Sequence, residues 1–595
     1  MSAVAEQAKL VQGGAFLIDD LKPEEIFTPE DFNEEHRMIA ETTRQFMDNE
    51  VIPRIDELEQ HDWKLSRELI KKAADLGLIG ANIPEEYGGL GLDQTSGALI
   101  GENIGRSASF ATTLGAESGI GLLPLVYFGT DAAKEKYLAK IAAGELITAY
   151  ALTESGSGSD AMAAKANARL SEDGTHYVIN GEKMWITNGG FADVFVVFAK
   201  VDGDKFSAFM VERQPGLTSG AEEHKMGIKG SSTTALVLSA VKTPVENLLG
   251  EVGKGHKIAF NILNIGRFKL GAMCIGGMKL MAHESIRYAN ERHQFGKPIS
   301  SFGAIKAKLA EMAIRTWVGE AMIYRTLGMI EAGIGAVADT KNMDARLRAI
   351  EEYAAECSIV KVALSEYCDF VADEMVQIYG GYGYSADYPA ERAYRDSRIN
   401  RIFEGTNEIN RLLIPGRLMK SALSGQLALL PAAQALMDEL LSPQVSGFDD
   451  DEAVLAVEQK LAKNAKKVAL MTLGTAAQKY MMKLADQQEI LMGVADIIMD
   501  TYAMESAILR AQKQAVSQGE EAAARCIDMT RVFCNDAVER IEAHAKNTLA
   551  AMAEGDELRT LLAALRRFTK LTPMNTVAAR QRIANVMIEA NRYVY

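Results

Sequence analysis

The sequence predicts a multidomain α+β protein, in which an N-terminal all-α domain is followed by a middle antiparallel β-barrel or sandwich, a C-terminal four-helix-type bundle and an extra C-terminal α-helical domain. Three observations support this fold class. The chain has 595 residues, which is too many for one hydrophobic core. Apolar residues recur every three or four positions towards both ends of the chain. The part between is rich in β-branched residues and hairpin dipeptides, so an all-β region separates two helical regions.

Changes in this periodicity divide the chain into six segments. They are an N-terminal extension (1–34), an all-α domain (35–147), a β domain (148–254), a helical bundle domain (255–420), a linker (421–451) and a C-terminal helical extension (452–595). The Thr28-Pro29 pair is typical of a helix start and introduces the first helical stretch. Its buried face is predicted to comprise Met38, Thr42, Phe46 and Ile52.

The β domain is predicted from short apolar runs separated by dipeptides that tolerate positive φ. These dipeptides are Asn180-Gly181, Asn188-Gly189 and Asp202-Gly203. Each is expected to turn a hairpin. Roughly a hundred residues of antiparallel sheet are therefore predicted, in a small barrel or sandwich.

The C-terminal extension shows helical stripes and no catalytic constellation. Apolar positions from Val454 to Val468 lie on one helix face, opposite Lys460, Lys463, Lys466 and Lys467, which are expected to be solvated. We therefore expect a packing or assembly role for this region. The preceding segment, 416–441, has two open interpretations: an ordinary helix and linker, which we favour, or a peripheral membrane contact.

Composition excludes several classes of function. A net charge of -16 disfavours non-specific nucleic-acid binding and suits a soluble partner with a basic face. The five cysteines lie far apart, and no Cys/His cluster has metal-ligand spacing, so buried thiols and no metal site are expected. No run of 18 apolar residues suggests a membrane span, and no targeting signal is recognisable. We expect a cytoplasmic location.

One acid stands out in the glycine-rich, charged stretch 375–414. Glu404 lies between Phe403 and Gly405 in an apolar tract, where burial would move its pKa towards the range useful for a general base. The alternative is a helix-terminal glutamate that caps its own backbone. By itself the local sequence favours the cap.

Two segments of the β domain could contact a cofactor. In TESGSGSDA, Gly156 and Gly158 allow backbone N–H groups to approach a phosphate. The same residues fit a dinucleotide fingerprint, but that fingerprint needs a βαβ unit and here hairpins follow, so the Rossmann reading is disfavoured. Trp185 and Thr187 are two residues apart, so on a regular strand they would share one face and could pack a ring and bond its edge, unless Trp185 is simply a core residue.

Taken together, four segments resemble the acyl-CoA dehydrogenase flavoprotein family. TESGSGSDA is similar to its first signature and QIYGGYGYSADYPAERAYRDSR to its second, and RHQFGKPI and NRIFEGTNEI resemble two further segments in the same order. The resemblance covers about residues 35–420. The additional C-terminal helices resemble the very-long-chain branch. The helical, β, helical order implied by the family is the order predicted from periodicity.

The resemblance implies an FAD site shared between subunits. The residues expected to contact the flavin or its pyrophosphate within one subunit are Tyr150, Leu152, Thr153, Gly158, Ser159, Trp185, Thr187, Thr406 and Glu408. Those expected to reach the FAD of the neighbouring subunit are Arg292, Phe295, Phe302, Gln377, Gly380 and Gly381. Those expected on the acyl-CoA side are Ser159, Asn264, Arg267 and Gly405. Sharing of this kind makes an oligomer, expected to be a homodimer, part of the site.

The implied reaction is α,β-dehydrogenation of a fatty acyl-CoA, in which Glu404 removes the α-proton and flavin N5 accepts the hydride. Some family members place the base just before the arginine equivalent to Arg267, but that position is Gly266 here, which cannot act. Small residues Gly115 and Ala116 suggest depth for a long acyl chain. Electron-transfer flavoprotein is the expected acceptor. The alternatives are an acyl-CoA oxidase, a flavin-bearing assembly factor and, remotely, a nitroalkane oxidase.

Overall fold

Helices form both ends of the chain and a mixed β-sheet lies between them in the computed structural model, which describes residues 9–339, 342–441 and 453–595. The helices of the first domain are α1 (Glu34–Phe46), α2 (Ile55–Glu59), α3 (Trp63–Asp75), α4 (Gln94–Ile104), α5 (Ala108–Gly115), α6 (Leu123–Phe128) and α7 (Asp131–Ala142). The bundle comprises α8 (Gly255–Glu291), α9 (Gly303–Gly335), α10 (Met343–Glu352), α11 (Ala354–Tyr379), α12 (Pro389–Ser397) and α13 (Asn407–Leu423). The predicted order of domain types is confirmed.

Helix α1 buries Phe46 as predicted, but Met38 is exposed and Thr42 and Ile52 are only half-buried. The Thr28-Pro29 signal starts only a short 3₁₀ turn, and α1 begins after Asn33, whose side chain accepts the His36 backbone N–H at 2.8 Å. The buried residues are His36, Ile39, Thr43 and Phe46, whereas Met38 is 64% exposed. The prediction for Met38 is therefore wrong. Near the start of α1 the buried face is displaced by one residue from the predicted one, so Ile39 is buried in place of Met38.

The sheet contains β1 (Thr148–Ala151), β2 (Asn167–Leu170), β3 (His176–Thr187), β4 (Val194–Val201), β5 (Lys205–Glu212), β6 (Leu217–Glu222), β7 (Thr233–Pro244) and β8 (Leu248–Leu249). The strand order is β6-β7-β3-β2-β4-β5-β8, and β1 pairs with β4. The pairs β1–β4 and β2–β4 are parallel, so the sheet is mixed. The Asp202-Gly203 turn joins β4 to β5 as predicted, but Asn180-Gly181 lies inside β3 at a register shift and turns no hairpin.

The C-terminal helices are α14 (Leu429–Leu441), α15 (Ala456–Tyr480), α16 (Gln488–Gln518), α17 (Glu520–Met552), α18 (Gly555–Phe568) and α19 (Thr576–Ala590). Helix α14 falls within the segment 421–451, which was expected to be a linker, and residues 442–452 lie outside the described part of the chain. Another short strand pair, β9 (His293–Gln294) and β10 (Lys297–Pro298), forms a hairpin after α8.

Buried ion pairs join the C-terminal helices to the bundle and to the N-terminal segment. Arg325 of α9 pairs with Glu505 of α16 at 2.6 Å. Arg510 pairs with Glu320 at 2.7 Å and with Glu30 at 2.9 Å. Lys466, expected in solvent, is buried and donates to the Asp19 carbonyl at 2.6 Å. Its prediction is wrong because the N-terminal segment covers that face of α15.

Helix α8 is the one helix among the described residues that is long and apolar enough to cross a membrane. In its most apolar window, 72% of the residues are buried inside the protein. The core position of α8 accounts for this composition, because the helix packs against α4, α9 and α11. It is also the helix that brings Gly266 and Arg267 to the centre of the molecule.

Candidate active site

Glu404 lies in a tight turn just before α13. Its backbone has φ 58°, and Gly405 follows with φ 82°, so two consecutive residues are in the left-handed region. The N-cap of α13 is Thr406, whose hydroxyl accepts the Ile409 backbone N–H at 3.3 Å. Glu404 therefore does not cap the helix. Its left-handed backbone, unusual for a residue with a side chain, is typical of functional sites.

The carboxylate of Glu404 packs against Gly266 of α8. A Cβ atom at residue 266 would lie 2.6 Å from Oε2 of Glu404, closer than non-bonded atoms approach, so only glycine leaves the space that this carboxylate fills. Glu404 as a whole is half-buried, but its Oε2 atom is buried, and none of the described residues donates a hydrogen bond to it. Burial raises the pKa of Glu404 to about 7, against the opposing charges of Arg267 and Lys361.

Lack of a partner distinguishes Glu404 from other buried acids. Burial also raises to about 7 or 8 the pKa values of Glu117, Glu331, Glu356 and Asp396. Each of these four accepts a backbone N–H: from Thr148, Gln94, Gly14 and Ile228 respectively. Each of these carboxyl groups ties segments of the fold together through one oxygen, although Oε1 of Glu117 and Oε2 of Glu356 also lack a partner. Among the described residues, none donates a hydrogen bond to the Glu404 carboxylate. A raised pKa and a carboxylate without a structural hydrogen bond together suit a general base.

Two predicted residues, Arg267 and Tyr150, interact with Glu404, and a third, Asn264, binds Arg267. Arg267 is buried and its Nε donates to the Glu404 carbonyl at 3.4 Å, while its Nη1 donates to Asn264 Oδ1 at 2.9 Å. A surface ion pair for Arg267 is thereby excluded. The Tyr150 hydroxyl is buried without a partner, and burial together with the Glu404 charge holds its pKa well above the usual range. Residues of β1, α8 and the Glu404 turn therefore interact with one another.

Trp185 and Thr187 lie at a β-bulge. The register of β3 shifts between Lys183 and Ile186, and Trp185 has φ 56°. Residues two apart share one face only in a regular strand. The bulge breaks this alternation, so the spacing of Trp185 and Thr187 no longer fixes both on one face. Trp185 is 62% exposed, which excludes a core role, and Thr187 is half-buried. An exposed indole on a strained backbone presents a flat apolar surface to solvent.

Hydrogen bonds and a buried ion pair fix the glycine/serine loop after β1. Glu154 and Ser157 exchange two backbone hydrogen bonds of 3.1 and 3.0 Å. The Glu154 side chain pairs with buried Lys183 at 2.7 Å. Gly158 and Ser159 are exposed, while Leu152 is buried and Thr153 half-buried. The loop runs into β2 and not into an α-helix, so no Rossmann unit forms.

The residues expected to reach a neighbouring subunit lie at the end of the bundle. Arg292, Gly380 and Gly381 line a cavity of about 670 Å³ together with Tyr288, Tyr379 and Tyr388. The cavity's lining residues, all in the described part of the chain, include none of the Glu404 neighbours. Gln377 is exposed on α11. The candidate site residues of one chain therefore form two separate groups, one around Glu404 and one around this cavity.

Phe295 lies at the tip of the β9–β10 hairpin, and Phe302 follows this hairpin in the chain. Phe295 and Gly296 form the two-residue turn between β9 and β10 with φ 53° and 80°, and Phe295 is 93% exposed. The Phe302 ring lies 6.0 Å from the Phe295 ring. An asparagine or glycine would satisfy such a turn with less strain. The exposed phenylalanine ring at this tip is available for a contact outside the chain.

Sequence reasoning missed Lys361 and Asn410, which hold the Glu404 turn. Lys361 is fully buried, and its Nζ donates to the Gly405 carbonyl at 2.7 Å. Asn410 Nδ2 donates to the carbonyls of Gly405 and Thr406 at 2.9 and 3.1 Å. The one signal for Lys361 was its place in the apolar run SIVKVAL. Glu408 is exposed beyond the turn and Thr406 is half-buried.

A side chain fills the space beside Gly115 that was expected to give depth for a long acyl chain. A Cβ atom at residue 115 would lie 2.6 Å from the Cε of Met273 in α8, so this glycine accommodates a methionine side chain. Ala116, which follows, starts a π-helical turn, Ala116–Ile120, of a kind frequent at functional sites. Space for a long chain at Gly115 therefore requires Met273 to move, which its flexible side chain permits.

The sheet and the helical bundle meet at a carboxylate to which none of the described residues donates a hydrogen bond, an arrangement that suits the active site of an enzyme. Family models of acyl-CoA dehydrogenases match four parts of the chain: the N-terminal domain at 33–145, the middle domain at 149–241, the C-terminal domain at 253–419 and a further acyl-CoA dehydrogenase C-terminal domain at 464–567. The chain therefore belongs to the acyl-CoA dehydrogenase family. The predicted resemblance is confirmed.

Individual relatives extend this similarity over the whole chain. A probable acyl-CoA dehydrogenase of Bacillus subtilis is 52% identical over 99% of this chain and 100% of its own length. The very long-chain specific acyl-CoA dehydrogenase of Rattus norvegicus mitochondria is 35% identical over 85% of this chain and 78% of its own. A crystal structure of an acyl-CoA dehydrogenase complexed with FAD from Bacillus anthracis superposes with a TM-score of 0.96, at 52% identity, over 98% of this chain and 100% of that one.

Replacing Gly266 tests the fit between α8 and the carboxylate. We expect Gly266→Ala to lower acyl-CoA dehydrogenase activity, assayed with an artificial electron acceptor, by about 10–100-fold, because the new Cβ displaces the Glu404 side chain by roughly 1 Å. Gly416→Ala is the matched control, since this glycine also lies in a helix but has open space around it. Equal activity of the two variants would show that Glu404 tolerates displacement.

Proposed function

We propose that this chain is an FAD-dependent dehydrogenase of long-chain fatty acyl-CoA thioesters, which forms trans-2-enoyl-CoA in fatty acid β-oxidation. The observation that carries the proposal is the Glu404 carboxylate, whose buried Oε2 lacks a partner and whose pKa is raised to about 7. A group with that pKa is partly ionised at neutral pH and can accept the weakly acidic α-proton of a thioester. Family membership supplies the substrate class.

The residues present fit an FAD cofactor. Trp185 offers an exposed indole, the Tyr150 hydroxyl is an orphaned polar atom beside Glu404, and Gly156 and Gly158 have open space around their Cα atoms. We assign Leu152, Thr153, Gly158, Ser159, Thr187, Thr406 and Glu408 to the same FAD, as the family resemblance implies. Bound there, FAD supplies the hydride acceptor for the reaction. The FAD-bound relative from Bacillus anthracis supports this assignment.

The chain's own residues divide the remaining work. Glu404 takes the α-proton onto its carboxylate. Arg267 and Lys361 hold positive charge near it, which keeps a useful fraction ionised although burial favours the neutral acid. The backbone N–H of Glu404 is assigned to the thioester oxygen, where negative charge develops as the proton leaves. Asn264, Ser159 and Gly405 are assigned to the CoA or thioester side.

Substitution of the base tests this function. We expect Glu404→Gln to retain yellow FAD and to bind acyl-CoA, because glutamine has the same shape, but to lose flavin reduction by at least about 10³-fold. In the unaltered enzyme the rate of flavin reduction should rise with pH through about 7, because only the ionised carboxylate is a base. Anaerobic stopped-flow bleaching measures both. Near-normal bleaching of Glu404→Gln would refute the assignment.

Electron-transfer flavoprotein is the proposed acceptor, and the cytoplasm is the proposed location. An acyl-CoA oxidase is the nearest alternative, and rapid reoxidation by oxygen with peroxide release would identify it. A flavin-bearing assembly factor would bind FAD with negligible turnover. The intact Glu404 site favours a dehydrogenase over that role. A nitroalkane oxidase is disfavoured because its relatives use aspartate as the base.

We further propose a homodimer in which each chain completes the other's FAD site. The supporting features are the exposed Phe295 at its hairpin tip and the separate cavity with Arg292, Gly380 and Gly381. The C-terminal helices cover α9, whose Arg325 and Glu320 bind α16, so this face is closed to further copies. We assign Phe302 and Gln377 to the same interface.

Phe295→Ala should weaken both association and cofactor retention. We expect light scattering to give a dimer for the unaltered protein and the variant to lose FAD at least about 10-fold more readily on dilution, since a buried aromatic anchor is a typical interface hot spot. Val516→Ala, at another highly exposed apolar residue, is the control and should change neither. A tetramer mass would contradict the proposed dimer, and unaltered FAD retention in Phe295→Ala would contradict the shared site.

Chain-length preference is testable with two thioesters. The identity to very long-chain enzymes supports a long-chain substrate, although Met273 fills the space over Gly115. We expect palmitoyl-CoA to bleach the flavin faster than butyryl-CoA, and Met273→Ala to increase that ratio about threefold because it removes the side chain at the expected tunnel end. A preference for butyryl-CoA would contradict the long-chain assignment.

A further inference from the structure

A continuous set of polar contacts runs from the Glu404 turn to the C-terminal helices. It begins at Lys361 of α11, which is fully buried and donates both to the Gly405 carbonyl at 2.7 Å and to Asn407 Oδ1 at 2.6 Å. Asn407 is the first residue of α13 and is itself buried. One lysine thus bonds both the turn that carries the base and the start of the helix that follows it.

The contacts continue outward along α11 and α13. Asn407 Nδ2 donates to Glu366 Oε1 at 3.0 Å. Both oxygens of Glu366 accept from Arg411, at 2.7 and 2.9 Å, in a planar two-bond pair. Asn407 and Arg411 lie one helical turn apart on α13, so Glu366 clamps the first turn of this helix to α11.

The last link crosses into the C-terminal extension. Arg411 Nε donates to Asp496 Oδ1 of α16 at 2.8 Å, and the Arg411 side chain is only 13% exposed. His544 of α17 lies 3.8 Å from the other Asp496 oxygen. Arg411 thus makes two hydrogen bonds to Glu366 and one to Asp496, so loss of Asp496 removes its one side-chain bond to the extension among the described residues.

We propose that Lys361 is a positioning residue for the Glu404 turn, and that the chain Asn407–Glu366–Arg411–Asp496 makes the C-terminal helices part of that support. This inference rests on the proposed role of Glu404 as the base. It gives the extension a part in catalysis that goes beyond covering α9. The turn needs such support because Glu404, a residue with a side chain, has a left-handed backbone, which is strained unless the surroundings hold it.

Lys361 acts on Glu404 in two ways that can be separated. Its hydrogen bond fixes the Gly405 carbonyl, and its charge favours the ionised carboxylate. The charged or titratable groups that face Glu404 are Lys361 from α11, Arg267 from α8 and Tyr150 from β1. Removal of Lys361 leaves Arg267 as the one cation of this set, so the neutral acid gains stability relative to the carboxylate.

A matched pair of variants tests the distant end. Asp496 and Asp500 lie one turn apart on α16, and each binds an arginine, but Asp500 pairs with Arg540 of α17 at 2.7 Å, within the extension. In the full-length, FAD-loaded enzyme we expect Asp496→Asn to slow flavin reduction by palmitoyl-CoA about threefold and Asp500→Asn to leave it unchanged. Both should lower the unfolding midpoint. Equal rates for the two variants would overturn the role of the extension.

Lys361→Met tests the near end. We expect flavin reduction at about pH 7 to fall by at least about tenfold, and the pH at half-maximal rate to move upward, because the lost charge no longer favours the carboxylate. A wild-type rate and pH profile would overturn the positioning role. Should this variant fail to fold, the Asp496 and Asp500 pair decides the proposal.

An infrared titration separates this inference from the proposed function. The C=O stretch of the protonated Glu404 carboxyl is identified as the band absent from Glu404→Gln, and its titration midpoint should move upward in Lys361→Met. Absence of bleaching in the unaltered enzyme with every acyl-CoA would refute the proposed function alone. If acyl-CoA bleaches the unaltered enzyme but the infrared titration midpoint is the same in Lys361→Met, the role of Lys361 is refuted and the proposed function stands.

Discussion

The close packing of the Glu404 carboxylate on Gly266 is the constraint on which the rest of the molecule depends. Three regions distant in sequence must reach the same few ångströms: α8 with Gly266 and Arg267, β1 with Tyr150, and the turn before α13. The long core helices fix α8 and α11, and the sheet fixes β1. The β domain contributes β1, the bundle contributes α8 and the turn, and the carboxylate lies where they meet, without a hydrogen-bond partner for its Oε2 among the described residues.

Buried charge is arranged differently in the site and in the rest of the fold. In the scaffold, carboxylates such as Glu505 and Glu320 face arginines at 2.6 and 2.7 Å, so their charges are satisfied and bind α9 to α16. In the site, Arg267 and Lys361 donate their hydrogen bonds to carbonyl and amide oxygens, and they act on the Glu404 carboxylate only through their charge. Their charge tunes the acid without neutralising it by contact, which leaves its oxygen available for a proton.

The sequence could reveal the order of domains and the segments that carry the candidate site residues, because both depend on local patterns. Hydrophobic period distinguishes helix from strand, and Glu404, Arg267 and Tyr150 stand in recognisable segments. Features that depend on tertiary contacts could not be predicted. Met38 and Ile39 are equally apolar, so only packing decides which is buried. Lys466 and Lys361 look like solvated lysines until the N-terminal segment and the Glu404 turn are placed over them.

Local irregularities were likewise invisible in the sequence. The bulge at Trp185 has no signature in MWITNGG, and the alternation rule that assumes a regular strand fails there. Asn180-Gly181 has the composition of a hairpin turn but lies within β3 because both flanking segments pair with β7. In each case longer-range strand pairing overrides the preference of a dipeptide.

The absent side chain at residue 266 also couples two distant positions of the sequence. Residue 266 lies in α8 and Glu404 in the turn before α13, yet a Cβ atom at residue 266 would lie 2.6 Å from Oε2 of Glu404, so the two side chains compete for one volume. A larger residue at position 266 would therefore require the Glu404 side chain to move, whatever its own chemistry. The amino acids at these two positions cannot be chosen independently.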